Sequence, residues 1–489
     1  MKNILCTILI FIGIISSAQD YEKGIFRLKL KSENAKPCNL KVNGKFADDD
    51  KIDGIFKKYN VISYEQAYPF AKNPELLKIY KLRFEGNDDS FKKELEGEAS
   101  ELIEDIEQIH KPIPTYDPSD YMWYLTTQDP NNWLWHLKKI HADQAWDITK
   151  SNPNIKIADV DESFDILHPD LSSKISPNYD PMTNIVHSAR GSSHGTYTSS
   201  FAAAQTDGGG QLASVGFNSR LIAYTWDDGE GKALHASDVM NADVITISWG
   251  YCGTVAPDDA LIVKEILDNG TIVVASAGNG TYPCNNGPLL PFSPVVDSRI
   301  ICVTSTGVDD KHYNSSGTNS HYPEVSICAP GYGVMGAVPT TYADGTPNTW
   351  PYYGSMNGTS FATPIVAGVC ALMKSINPCL TPQLAKSIIQ STADPVVDAS
   401  SYPNMVGAGR INAFNAVKLA GTKSITGSIG GTTTYSAGYV ASLSNAAVQS
   451  NSNITVKARK EIIANGTTEI PIGSTIYFNI DSNAVNSCN

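Results

Sequence analysis

The chain has 489 residues, enough for about three domains, and its 42% hydrophobic and 18% charged residues are typical of a globular protein. This apolar content excludes a largely disordered chain. Lys and Arg number 37 against 50 Asp and Glu, so the formal net charge is −13. That balance argues against a nucleic-acid binder and against docking on anionic lipid, because both need clustered positive charge.

The N-terminus has the pattern of an export signal. Residues 1–3 form a short basic start, residues 4–15 form an apolar run, and small residues at 16–18 precede a predicted cleavage after Ala18. The run is too short for a transmembrane helix, and no later stretch approaches about 18 unbroken apolar residues. We therefore expect a secreted protein without a membrane span. The alternative is that the apolar run forms a buried N-terminal helix.

Residues 19–115 are the most densely charged part of the chain, because about a third of these positions are Asp, Glu, Lys or Arg, against 18% overall. The alternating segment 25–30 predicts a strand, and residues 94–110, with apolar residues at helical spacing, predict a helix. The segment is therefore predicted to be a small α+β domain. Three prolines between residues 112 and 118 mark the linker that follows.

Residues 120–421 are poor in charge and rich in small residues, and strand-like apolar runs alternate in them with helical stretches. Buried strands are predicted at 155–160, 243–248, 271–276 and 299–304, and helices at 195–204, 258–268, 361–375 and 381–391. This alternation predicts an α/β fold with a mostly parallel sheet and helices on both faces. Pockets in such sheets open at the carboxyl ends of the strands.

Residues 422–489 are rich in Ser, Thr, Gly and Asn. Apolar residues alternate with polar ones at 454–458 and 476–480, so we predict a small β module. Cys488 lies next to its end and either fixes the C-terminus through a disulfide or is a free thiol.

The cysteine spacing shows no CxxC pair, so a structural zinc site is not expected. We predict a disulfide between Cys252 and Cys284, because both lie in loops rich in Gly and Asn and an exported chain can oxidise them. Three cysteines in apolar segments are predicted to be small core residues: Cys302, Cys328 and Cys370.

Chemically useful side chains follow the predicted strands and open the predicted helices. Asp161 follows the first strand, Asn279 follows the third, and His194 and Ser360 each open a helix. Taken singly, such residues are most often turn or cap residues. Together they are what acyl transfer needs: a hydroxyl nucleophile, an imidazole base, a carboxylate that orients the base, and a donor for the oxyanion. Their order, Asp, His, Ser, differs from the orders of chymotrypsin-type enzymes and α/β-hydrolases.

These residues lie in blocks that resemble the subtilisin-like serine proteases, the subtilases. The blocks are Ile155–Asp161 with His168–Leu171, His194–Thr196, Ser276–Asn279 and Gly358–Pro364 with Val366–Gly368. The resemblance implies a serine endopeptidase in which Ser360 is the nucleophile, His194 the base, Asp161 the residue that orients it, and Asn279 an oxyanion donor. It also implies chemistry that needs no cofactor.

The same resemblance identifies a substrate cleft and a calcium site. Ser248, Trp249 and Gly250 resemble the segment that pairs with the substrate backbone, and Ala277 and Gly278 resemble the facing wall of the primary pocket. A structural calcium ion is implied at Asp170 and Asp207, although calcium needs six to eight oxygen ligands and the sequence supplies only two or three candidates.

The flanking segments resemble those of secreted bacterial subtilases. Residues 19–115 resemble a propeptide in position and in strand–helix pattern; the alternative is a permanent binding domain. The C-terminal module resembles a sorting or surface-attachment tail. The expected partners are protein or peptide substrates and the chain's own propeptide, and a monomer is expected.

Two departures from the family pattern keep a second function in view. Asp159 stands where the family usually has a buried aliphatic residue, and Glu162 where it usually has Thr. Strand periodicity places Asp159 on the same face as Asp161, where its charge would raise the pKa of its neighbour or weaken the enzyme. The alternative function is a catalytically inactive subtilase-fold protein used for binding or adhesion.

Overall fold

The computed structural model describes residues 21–31, 36, 45–47, 49–67, 74–84, 88–110, 118–120, 122–123, 133–176, 194–208, 211–280, 284, 287–312, 319–340, 353–465 and 474–488. The predicted signal, Cys38 and most of the predicted linker lie outside these residues. The chain divides into two compact units, Ser16–Pro114 and Thr115–Asn489, the latter grouped with residues 1–15.

The first unit is an antiparallel sheet with two helices. Its elements are β1 (Tyr21–Leu30), α1 (Asp50–Lys58), β2 (Val61–Gln66), β3 (Ile79–Phe84), α2 (Asp88–Glu98) and β4 (Ile103–His110), and the strand order is β2-β3-β1-β4. Phe26, Leu28 and Leu30 of β1 are buried, and the residues between them are not, so one face of the sheet meets the core.

The prediction of a helix over 94–110 was wrong for most of its length. Helix α2 ends at Glu98, and the chain then enters β4, where Ile106 pairs with Leu28 of β1. The apolar spacing in this segment fits a helix as well as a strand, and the open edge of β1 decides in favour of a strand. Tertiary pairing here overrides the local pattern.

The second unit is built on six parallel strands, in the order β10-β9-β8-β7-β5-β6. They are β5 (Lys156–Asp161), β6 (Arg220–Thr225), β7 (Val244–Ile247), β8 (Ile272–Ser276), β9 (Ile301–Thr306) and β10 (Ile327–Pro330). The predicted strands are confirmed to within two residues at each end, and the predicted mostly parallel sheet is confirmed. Sequence analysis missed β6 and β10.

Helices cover both faces of this sheet. They are α3 (Trp135–Lys139), α4 (Ala142–Ile148), α5 (His194–Ala203), α6 (Gly229–Asp238), α7 (Pro257–Asp268), α8 (Thr359–Ile376), α9 (Pro382–Ser391) and α10 (Ala413–Ala420). Helices α5 and α8 pack on the face that carries Ile157 and Val244, and α6 and α7 pack on the face of Ala158 and Val160.

Helix α8 begins with the predicted nucleophile at the sheet edge and then runs through the core. It is apolar and long enough to cross a membrane, with a mean hydropathy of 1.4, but 94% of it is buried inside the fold. Its buried side chains therefore find their apolar partners in the protein itself.

The C-terminal strands alternate between two sheets. After an antiparallel pair, β11 (Tyr332–Ala337) and β12 (Tyr353–Asn357), come β13 (Lys423–Ile429), β14 (Thr432–Ala437), β15 (Val440–Val448), β16 (Asn453–Ala458), β17 (Glu461–Asn465) and β18 (Thr475–Ile480). Odd strands form one parallel sheet, β13-β15-β17, and even strands another, β14-β16-β18. The chain thus coils between two sheets over a small apolar core that includes Leu443 and Val456.

The C-terminus is fastened to helix α8. Cys488 forms a disulfide with Cys379, which lies in the loop after that helix. The backbone N–H of Asn486 donates to Ile376 O at 2.8 Å, and its side-chain amide donates to Ala420 O at 2.8 Å. The predicted disulfide Cys252–Cys284 is also confirmed, and Cys302, Cys328 and Cys370 are buried free thiols, as predicted.

We expect the Cys379→Ser/Cys488→Ser variant to lose about 2–4 kcal/mol of unfolding free energy, because the bond closes a loop with a sequence separation of 109 residues. Urea unfolding would measure this loss. The Cys252→Ser/Cys284→Ser variant is the comparison, since its loop is shorter, with a separation of 32, and its loss should be smaller. An unchanged urea midpoint in the first variant would show that the C-terminus is held without the disulfide.

Candidate active site

The predicted catalytic residues meet at one open cleft at the carboxyl edge of the parallel sheet. The cleft has a volume of about 940 Å³. His194, Ser248, Asn279 and Ser360 line it, and Asp161 ends β5 behind His194. These residues converge because parallel strands all end at the same edge, and the helices α5 and α8 begin there.

His194 and Asp161 form a short hydrogen bond. The Nδ1–H of His194 donates to Asp161 Oδ1 at 2.7 Å, and the same oxygen accepts the backbone N–H of Glu162 at 2.6 Å. Asp161 is fully buried, and its Oδ2 has no hydrogen-bond partner among the described residues. Burial lowers the pKa of His194, but the charge and hydrogen bond of Asp161 outweigh it, so the pKa lies above its ordinary value.

Ser360 is the second residue of α8, where free backbone N–H groups face the cleft. The residue before the helix is Gly358, with φ 145° and ψ 161°, a backbone conformation that glycine adopts without strain. The Ser360 hydroxyl donates to Ser248 O at 3.3 Å rather than to His194. Catalytic hydrogen bonds in ligand-free active sites are often long or poorly aligned and tighten only when substrate binds.

Asn279 is held in a single orientation by Thr359. The backbone N–H of Thr359 donates to Asn279 Oδ1 at 3.0 Å, and the Thr359 hydroxyl lies 3.1 Å from the same oxygen. Because the carbonyl oxygen is engaged by a backbone donor, the amide nitrogen is the atom left for the cleft. Sequence analysis did not assign a role to Thr359; its position directly before Ser360 was the available signal.

The predicted substrate residues fall into two groups. Ser248, Trp249, Gly250 and Gly278 line the cleft, but Ala277 does not. Its side chain is fully buried beside Cys302, Tyr322 and Val325, because alternation along an extended segment turns it away from Ser276 and Gly278. Ala277 thus lies behind the wall rather than in it.

Trp249 both packs and lines the cleft. Its indole N–H donates to Val160 O at 2.7 Å, and its ring meets Phe292 edge-on at 5.9 Å. Trp226, which is 41% exposed, lies 6.3 Å from it in a second edge-on pair. Sequence analysis missed Trp226 and Glu162 as lining residues. Together these side chains give the cleft an aromatic wall beside one carboxyl group.

The two predicted calcium residues have different surroundings, and a third carboxylate lies near both of them. The exposed Asp207 side chain accepts the backbone N–H of Ser119 at 2.8 Å. Asp170 is fully buried and accepts the Tyr353 hydroxyl at 2.6 Å. The missed residue is Asp120, also fully buried, whose Oδ2 accepts the Asp207 backbone N–H at 2.9 Å.

Asp120 and Asp170 have the character of a cation site. Asp120 Oδ1 is buried and without a hydrogen-bond partner among the described residues. Burial, and then the charge of Asp170, raise the pKa of Asp120 to about 6. Two buried carboxylates with an unused oxygen fit a hard cation such as calcium, which takes oxygen ligands. Within the described ranges no group of three His, Cys, Asp or Glu side chains forms a complete metal cluster.

Comparison with known proteins shows the family to which this chain belongs. The subtilase family model matches residues 152–409, just over half of the chain. The chain belongs to the subtilase family of serine proteinases, as its sequence blocks predicted.

Two relatives show the extent of the similarity. A thermophilic serine proteinase of Bacillus sp. (strain AK1) is 31% identical over 287 residues, which cover 57% of this chain and 65%, just under two thirds, of that protein. Thermitase of Thermoactinomyces vulgaris is 32% identical over 291 residues, covering 58% of this chain and 94% of thermitase. Among solved structures, a protease of Pseudoalteromonas arctica PAMC 21717 is 24% identical and covers 62% of this chain, with a TM-score of 0.49.

Proposed function

We propose that this protein is a secreted serine endopeptidase in which Ser360, His194 and Asp161 form the catalytic triad and Asn279 is an oxyanion donor. The observation that carries the proposal is the 2.7 Å bond between His194 and the buried Asp161, in the cleft that Ser360 and Asn279 line. No cofactor takes part in this chemistry.

In this mechanism Ser360 Oγ attacks the peptide carbonyl carbon and passes its proton to His194 Nε2. Asp161 holds the Nδ1–H tautomer and stabilises the imidazolium that forms. The oxyanion accepts from Asn279 Nδ2 and from the Ser360 backbone N–H. His194 then gives its proton to the leaving amine, and a water molecule, activated by His194, hydrolyses the acyl-enzyme.

A fluorophosphonate probe tests the proposal directly, because it labels only an activated serine. We expect the probe to attach to Ser360, as located by peptide mass spectrometry, and casein cleavage to stop in proportion. Labelling should require removal of residues 19–115 if they act as a propeptide. Failure of the probe to label, even without those residues, would favour the catalytically inactive binding protein instead.

Asn279→Ala is expected to lower kcat by about 10²- to 10³-fold, the loss known for removing the equivalent donor in subtilisin. KM should change little, because the oxyanion forms only in the transition state. Steady-state kinetics on a peptide anilide would measure both constants. A loss below about fivefold would contradict the assignment of Asn279 as an oxyanion donor.

Substrate binding is proposed to use the segment Ser248–Gly250 as a strand edge. The substrate backbone would add alongside it, with main-chain hydrogen bonds for affinity and pockets for selectivity. The aromatic wall of Trp249 and Trp226 favours apolar side chains upstream of the scissile bond. A peptide library would show that preference.

A structural calcium ion is proposed at Asp120 and Asp170. We expect EDTA to lower the melting temperature, because at 100 times Kd the ion adds about 2.7 kcal/mol to stability. Asp120→Asn should melt at the EDTA-treated temperature and show no further EDTA effect. Asp207→Asn is the matched control, since its exposed carboxylate should leave the EDTA response intact. An EDTA response that survives in Asp120→Asn would exclude this site.

The flanking segments are proposed to serve export and maturation. An N-terminal signal and two disulfides in the second unit are consistent with an oxidising extracellular compartment. The Cys379–Cys488 disulfide would keep the proposed sorting tail attached to the peptidase after cleavage. A cut near residue 422 would release residues 423–488 only once the disulfide is reduced.

A further inference from the structure

A second carboxyl group, that of Asp159, lies on the same strand and the same sheet face as Asp161. Asp159 precedes Asp161 by two residues in β5, so both side chains leave the same face of the sheet. Asp159 is fully buried. Its neighbours in register on the adjacent strands are Ala223 of β6 and Thr246 of β7, both uncharged.

The side-chain hydrogen bonds given for Asp159 join it to the helix that carries His194. Asp159 Oδ2 accepts the Thr198 hydroxyl at 2.7 Å and the Ser199 hydroxyl at 2.9 Å. Both donors lie in α5, within its first six residues. The Thr198 hydroxyl is also 3.2 Å from the carbonyl oxygens of His194 and Gly195, so its shorter contact is the one to Asp159.

The other oxygen of this carboxyl group is unused. Asp159 Oδ1 and Thr246 Oγ1 are both buried without a hydrogen-bond partner in the described part of the chain. They belong to residues that are direct neighbours across β5 and β7. An uncharged carboxylic acid has one donor to offer at Oδ1, and a threonine hydroxyl is an acceptor.

Among the described residues no Lys or Arg lies within ion-pair distance of Asp159. Ion pairs among the described residues do not include it, and the charged groups that act on it are Asp161 on its own strand and His194 on α5. Burial first, and then repulsion from Asp161, raise the pKa of Asp159 well above its ordinary value, and the two hydroxyl donors only partly oppose this.

We propose that Asp159 is a positioning residue that acts as an uncharged carboxylic acid: it ties α5 to β5 and so holds His194 against Asp161. This rests on the proposed function of His194 and Asp161. Through Oδ2 it joins the two elements on which the His–Asp bond depends. Through its neutral state it leaves Asp161 as the one buried carboxylate charge at His194, with Glu162 acting on the imidazole from the cleft. A second negative charge there would stabilise the imidazolium and impair the base.

Asp159→Asn separates charge from shape. The amide keeps an oxygen for both hydroxyl donors and offers an N–H toward Thr246, but it cannot ionise. The pKa of His194, followed by NMR of labelled histidine in a Ser360→Ala background, should agree between this variant and the Asp159 parent within about 0.2 unit. A clear fall in the variant would show that Asp159 is ionised in the parent, and would overturn the proposal. This measurement needs no activity, so it stands apart from the fate of the proposed function.

Asp159→Val tests the tie itself. It fills the space but removes the acceptor, so α5 loses its anchor to β5. We expect kcat to fall about 10- to 100-fold with KM nearly unchanged, because a misplaced base affects chemistry rather than binding. Asp159→Asn should retain kcat within about threefold, as a conservative rescue. Equal kcat values in the Asn and Val variants would overturn the positioning role.

The double variant Thr198→Val/Ser199→Ala reaches the same contact from the helix. It removes both donors and leaves Asp159 in place, and it provides the test if Asp159→Val does not fold. The expected result is again a loss in kcat with KM preserved. Unchanged kcat in this variant would overturn the tie between α5 and β5.

Discussion

Replacing Ser360 with alanine is expected to lower kcat by about 10⁶-fold, the loss known for the equivalent substitution in subtilisin. In the proposed mechanism the hydroxyl oxygen of Ser360 forms the acyl-enzyme. Ser248 also lines the cleft, but its hydroxyl donates to Ser360 O at 2.9 Å and is therefore engaged by the backbone. The residual rate should reflect binding and the oxyanion donors alone.

The measurement is single-turnover and steady-state cleavage of a peptide anilide, together with fluorophosphonate labelling. Ser355→Ala is the matched control, because Ser355 is an exposed residue of β12, the strand that precedes α8 in the chain. It should keep both activity and labelling. Labelling of the Ser360→Ala protein at another serine would mean that the nucleophile has been wrongly assigned.

Replacing Asp161 with asparagine is expected to lower kcat by about 10⁴-fold. The change keeps the size of the side chain and removes the charge. His194 then loses the partner that selects its Nδ1–H tautomer and stabilises its protonated form. Asp159 is not expected to take over the role of Asp161, because its carboxyl group is buried and accepts hydrogen bonds from α5.

The dependence of kcat/KM on pH should also change in a defined direction in Asp161→Asn. His194 must be neutral to accept the proton from Ser360, so activity falls as pH drops through its pKa. In the native protein that pKa is raised above 6.5 by Asp161, against the effect of burial. In Asp161→Asn burial remains and the carboxylate charge is gone, so the acid limb of kcat/KM should move to lower pH.

Asp238→Asn, an exposed change on α6, is the control for this profile and should leave both rate and acid limb unaltered. An acid limb that stays in place in Asp161→Asn would show that another group controls the titration. A limb that moves to higher pH would contradict the electrostatic role of Asp161.

The parallel sheet and the positions of its helices were predictable because their signals are local. Buried parallel strands are near-continuous apolar runs, and β7, β8 and most of β9 have that pattern, whereas Asp159 interrupts β5. Segment 94–110 has no such clear signal: its isoleucines fit a helix or a strand, and only the edge offered by β1 decides between them. The alternation of the C-terminal strands between two sheets depends likewise on partners distant in sequence.

Of the candidate site, the reacting groups were predictable, and so were four of the cleft-lining residues: Ser248, Trp249, Gly250 and Gly278. Asp161, His194, Asn279 and Ser360 each stand at the end of a strand or the start of a helix, so the topology alone brings them to one edge. Thr359 and Asp120 were missed because their roles lie in contacts made across the chain: Thr359 fixes Asn279, 80 residues away, and Asp120 meets the Asp207 backbone, 87 residues away.

The amino-acid sequence by itself determined the family, the parallel sheet, the order of the reacting groups and one disulfide. The family follows from motif blocks that resemble the subtilases, and the disulfide from two loops rich in Gly and Asn. The sheet follows from local composition, and the meeting of the reacting groups from the rule that parallel strands end at one edge. Only the tertiary structure decided which way Asn279 points, how the C-terminus is pinned through Cys379, and what the carboxyl group of Asp159 binds. The reason is physical: a hydrogen bond or a disulfide depends on distances of a few ångströms, and packing between distant segments sets those distances.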